Sequence, residues 1–168
     1  MPATITGSQN GTVGLINALT AQNSTSGTAV SFTGIPSGVK RITMMLNGVS
    51  TNGTAAYLVQ IGSGSYATTG YSGSGSSISG TSSSNSIFTT GFGISQAAAN
   101  NTLSGLIVIG NVSGNIWAGS GLIGNGVNAS MFFCAASITL AGTLDRIQLT
   151  TTTGTDIFDA GSINVLYE

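Results

Sequence analysis

The sequence predicts an all-β protein: an antiparallel β-sandwich or jelly roll of about eight or nine short strands, preceded by a short N-terminal arm. Two observations carry this expectation. Short segments alternate apolar and polar residues with the period of a strand, and clusters of Gly, Ser, Thr and Asn separate them. These four residue types also run through the whole chain, and they are poor in helix interiors but good in turns and on polar strand faces.

Residues 1–27 are read as an arm for anchoring and assembly, and residues 28–168 as the sandwich domain. Within the arm, TVGLINALTAQ (12–22) is the one stretch with a helical stripe, through Val13, Ile16 and Leu19. A short helix and an extended arm both fit it. AVSFTGI (29–35) then reads as a strand, closed by the turn PSG (36–38). VKRITMMLNGV (39–49) alternates, with Ile42, Met44 and Leu46 on one face. The Asn-Gly pair of STNGT (50–54) predicts a hairpin into AAYLVQIGS (55–63).

GSGSYATTGYSGSGSSISGTSSSNS (62–86) breaks the rhythm and reads as a long Gly/Ser-rich loop. Tyr66 and Tyr71 within it are candidate contacts for a partner or receptor, because rigid aromatics among adaptable polar neighbours are typical of binding surfaces. The blander reading has both tyrosines packed on the sheet. SIFTTGFGIS (86–95) reads as one strand with Phe88, Phe92 and Ile94 on a face. LSGLIVIGN (103–111) and IWAGSGLI (116–123) flank VSGN, a second hairpin turn. SMFFCAASITL, DRIQLTTTT and SINVLYE complete the set, the last with Ile163, Val165 and Tyr167 alternating.

Composition narrows the function. Only 4% of residues are charged, against about 25% in an average soluble domain. Lys40, Arg41 and Arg146 are the only cations, too few to neutralise a run of phosphates, so nucleic acid is not an expected partner. The apolar runs LIVI (106–109) and MFFCAA (131–136) fall far short of the roughly 18 residues of a spanning helix, and no membrane insertion is expected. The start MPATITGSQ has neither a basic nor an apolar signal region. Cys134, the single cysteine, sits in an apolar run and reads as a buried thiol. With so few charges to keep copies apart, self-association is expected.

Little remains for chemistry. There is no histidine, which removes Ser-His-Asp and Cys-His arrangements and the usual zinc sites. No helix follows the glycine-rich stretch to receive a phosphate. Asp145, Asp156 and Asp159 are three of the four acids. They invite a glycosidase pair or an oxygen site for calcium. However, GTD (154–156) and DAG (159–161) are turn signatures in which Asp accepts backbone N–H groups. The three are therefore read as structural turn acids, with Arg146 available to pair with one of them. No catalytic, cofactor-binding or metal-ligating residue is assigned, and no enzyme or cofactor is expected.

SFTGIPSGVKRITMMLNGVSTNGT (31–54) and LDRIQLTTTTGTDIFDAGSINVLYE (144–168) resemble a β-rich module of virion proteins from tailed bacteriophages and prophages. The resemblance covers residues 28–168 and is strongest at these two ends. In that family the module often closes tail-fibre or tail-appendage proteins. The resemblance implies a non-enzymatic structural protein on the exterior of the virion, made in the host cytoplasm. Together with the low charge and the arm, it leads to a trimeric tail-fibre or appendage module that contacts the host surface. Its partners would be copies of itself, tail or major capsid protein, and a host-surface glycan. A long fibre carries a tail-binding region and a shaft before the module, whereas about 27 residues precede it here. That makes a capsid decoration (cement) protein the alternative. A small carbohydrate-binding domain stacking sugars on Tyr66, Tyr71 and Trp117 is the second alternative.

Overall fold

Alternating side chains give each strand one apolar face, and such faces are buried by packing sheet on sheet. The computed structural model describes residues 16–95 and 98–168. It is all-β, with two antiparallel sheets around one core. The larger sheet contains β1 (Asn17–Ala18), β2 (Gln22–Asn23), β4 (Arg41–Thr51), β7 (Ser72–Ser79), β8 (Ser82–Phe88), β10 (Leu103–Ser113), β11 (Ile116–Asn125), β12 (Ser130–Thr139) and β14 (Phe158–Tyr167). The smaller contains β3 (Val30–Thr33), β5 (Tyr57–Ser63), β6 (Ser65–Tyr66), β9 (Phe92–Ile94) and β13 (Arg146–Thr151).

In the larger sheet the order is β1-β14-β4-β10-β11-β12-β7-β8, with β2 also on β14. In the smaller it is β3-β13-β5-β6, with β9 also on β5. Ile42, Met44 and Leu46 of β4 and Ile163 and Val165 of β14 point into the core, as their alternation predicts. Segments 31–54 and 144–168 lie side by side in both sheets. β3 pairs with β13, and β4 pairs with β14.

Four expectations change. The helical option for 12–22 fails over its described part: residues 17–18 and 22–23 are strand, lying along β14 and capping an edge that would otherwise stand open. Residues 1–15 lie outside the described part. The Asn52-Gly53 turn does not make a hairpin either. Both edges of β4 are already taken, by β14 and β10, so the chain crosses to the other sheet to form β5. The 86–95 segment is likewise split between the sheets, into β8 and β9.

The fourth change is the largest. Residues 62–86 are not a loop but contribute the strands β6, β7 and β8, which with β1 and β2 of the arm bring the described residues to fourteen strands rather than eight or nine. Its glycines divide between two tasks: Gly64, Gly70 and Gly80 take a positive φ in the connections, whereas Gly62, Gly73 and Gly75 serve close approach. A Cβ at Gly73 would lie 2.4 Å from the Ala136 Cβ, and one at Gly75 would lie 2.4 Å from the Gly93 carbonyl oxygen. The hairpin turn VSGN, by contrast, joins β10 to β11 as expected, with Gly114 at φ 50°.

Candidate assembly surface

The acids are dispersed by the fold and serve structure. Asp145 accepts the Gly64 N–H of the β5–β6 turn at 3.1 Å and two bonds from the Arg146 guanidinium, the shorter 2.7 Å. The Arg146 side chain, then the Gly64 N–H, hold its carboxyl below the usual range. Asp156 accepts the Ala55 N–H at 2.9 Å and the Thr153 hydroxyl at 3.2 Å. It thereby ties the 152–157 loop to the corner at Asn52 and Gly53, where the Asn52 side chain accepts the Ile157 N–H at 2.8 Å. Asp159 departs from the turn reading. It is the exposed extra residue of a β-bulge in β14, between the pairs Phe158–Thr51 and Ala160–Ser50.

The aromatic candidates also move. Tyr71 is 3% exposed and belongs to the core, so it is not a surface contact. Its hydroxyl accepts the Ile61 N–H at 2.9 Å and donates to the Ile61 carbonyl at 3.3 Å. It fills the gap along β5 between the short neighbours β6 and β9. Burial pushes its pKa up to about 12, opposed by the Ile61 hydrogen bond. Tyr66 is half-buried under the Arg146 guanidinium, 5.7 Å from the ring centre. Trp117 is 4% exposed, also in the core. A three-aromatic platform for a sugar is therefore not formed. Cys134 is buried, and burial lifts its thiol to about 11.

The surface that the fold does assemble is the outer face of the larger sheet. Leu106, Leu122 and Phe133 stand side by side on β10, β11 and β12, with Met45 next in the row on β4. Their exposures are 50%, 50% and 39%. One row away Met131 faces Ile78, and on the other side lies Val108. Ile87, 83% exposed, ends that row on β8. Ser120 and the backbone of Gly121 leave a shallow groove of about 450 Å³ between Leu106, Leu122 and Phe133. No residue between Arg41 and Asp145 is charged, so five adjacent strands (β10, β11, β12, β7, β8) present an uncharged face. Beyond these strands charge returns in the Arg41–Glu168 ion pair and at the exposed Asp159 of β14.

Sequence reasoning missed this face, although a signal was there. The runs LIVI and MFFC are apolar at successive positions, so one parity of each must point away from the core. Nothing among the described residues covers the outer side of these strands. Contiguous apolar surface of this kind marks an interaction site. No family model, curated protein or solved structure matches the chain.

Proposed function

We propose that this chain is a non-enzymatic structural subunit of a tailed-phage particle, a self-associating tail-fibre or appendage module on the exterior of the virion. The observation that carries the structural role is the uncharged apolar face of the larger sheet, which suits permanent burial against protein. The use of Asp145 and Asp156 as acceptors of backbone N–H groups, which occupies them structurally, supports a non-enzymatic reading. The phage assignment rests on the resemblance of 31–54 and 144–168. The adjacency of these segments in both sheets agrees with their belonging to one module.

The test is co-sedimentation of the purified chain with headless tails and with tailless heads of the phage or prophage that encodes it. Saturable, stoichiometric binding to tails is the expected result. Binding to heads alone would replace the appendage with a capsid decoration protein. Binding to neither, with the chain missing from intact particles by mass spectrometry, would overturn the virion assignment.

A further inference from the structure

We infer that the outer face of the larger sheet, centred on Leu106, Leu122 and Phe133, is the contact with a second copy of this chain. This rests on the structural-subunit reading and names the surface through which that subunit self-associates. Three observations select a second copy over a different partner.

The first is charge. From β10 across to β8 the face carries none, so it offers no electrostatic feature with which to attract or select a charged partner. Over these five strands two copies would bring together surfaces with no ion to desolvate, the Arg41–Glu168 pair lying at one end of β4 and β14, and a net charge of −1 leaves almost no long-range repulsion between them.

The second is area. Seven neighbouring strands, β14 to β8, share the face. At about 4.8 Å between strands and roughly 20 Å of strand length, they present on the order of 700 Å². A stable interface needs about 800 Å² from each partner, so one face against its copy is close to sufficient.

The third is the outer end of the sheet. β8 has one strand neighbour, β7, and six of its seven residues are exposed. Its sequence SSSNSIF has no charge and no proline, the usual protections of a free edge. The hairpin carries the outer face out to this edge through the exposed Ile78 and Ile87, and a second copy seated on that face would bury both.

The experiment is light scattering on the purified full chain, with Phe133→Asp and Leu122→Asp, and with Val127→Asp as a control at an exposed position away from the rows that form the face. The wild type and the control are expected to show a multiple of 16.6 kDa, and both face variants the mass of one chain. Circular dichroism checks that the variants keep their β signal. Should the aspartates prevent folding, Leu106→Ser and Leu122→Ser, uncharged changes at half-exposed positions, decide the matter by the same mass change. A wild type that stays monomeric at high concentration overturns the proposal. So does an oligomer that survives the face variants, which would leave the structural-subunit reading intact and put the contact elsewhere. Conversely, variants that become monomeric in a chain that binds no phage particle would uphold the face and refute the virion assignment.

Discussion

Gly75 of β7 and Gly93 of β9 face each other across the two sheets, so close that a Cβ on Gly75 would sit 2.4 Å from the Gly93 carbonyl oxygen and 2.9 Å from the Phe88 ring. The Phe88 ring in turn covers Gly93, where an added Cβ would meet it at 2.0 Å. The two sheets are locked together here by missing side chains. Gly75→Ala is expected to cost about 1 to 3 kcal/mol through overpacking. Gly110→Ala, where the nearest atom is 4.0 Å away, is expected to cost far less. Thermal unfolding of both variants checks this, and equal midpoints would refute it.

Tyr71→Phe keeps the ring, including its edge-on packing against Phe92 at 5.7 Å, and removes the hydroxyl. The Ile61 N–H then loses its partner inside the core, while the Ile61 carbonyl keeps the Ala67 N–H at 3.0 Å. A loss of about 1 to 3 kcal/mol is expected in chemical denaturation, with the fold retained. An unchanged midpoint would mean that the hydroxyl does not complete β5.

Burial raises Tyr57 and Tyr71 from 10.0 to about 12 each. Hydrogen bonds from Thr51 and Ile61, respectively, oppose the rise. The folded state thus holds these protons more tightly than the unfolded chain. The associated stability is complete below the unfolded value and is lost as pH rises through about 12, on the order of 2 to 3 kcal/mol per tyrosine. Alkaline titration should show their tyrosinate absorbance, isolated by comparison with Tyr57→Phe and Tyr71→Phe, rising together with loss of the β signal. Ionisation of both with the fold intact would contradict the burial argument.

Asp156→Ala removes the acceptor for the Ala55 N–H and the Thr153 hydroxyl, and about 1 to 2 kcal/mol should be lost. Asp156→Asn retains one oxygen acceptor and should cost less. Asp159→Ala, at the exposed bulge, is expected to stay within about 0.5 kcal/mol. Added calcium should leave the wild-type melting midpoint where it was. A rise of several degrees would return the acids to candidacy as a metal site.

Short-range patterns in this chain were legible. Alternation in 41–46 and 163–167 placed Ile42, Met44, Leu46, Ile163 and Val165 in the core, and VSGN marked a hairpin. Asp156 accepts a backbone N–H as its turn signature suggests, but that of Ala55, 101 residues away, rather than one in its own turn.

Where pattern reading failed, a local signal had a non-local cause. Asn52-Gly53 is good hairpin chemistry, but pairing partners are chosen by which edges are free, and β4 had none left for β5. The glycines and serines of 72–79 have turn propensity, yet the space between β9 and β12 admits only a strand with almost no side chains. Sequence left Tyr71 open between a surface contact and packing on the sheet; it is buried, because the gap along β5 needs a hydroxyl.

The sequence by itself therefore determined the class: all-β, nearly chargeless and without histidine. Alternation and composition are local properties, and the chain carries them whatever its partners. Only the tertiary structure decided which strands are neighbours, and so which apolar residues stayed outside. Leu106, Leu122 and Phe133 sit on three successive strands, and it is strand register that sets them in one uncharged row.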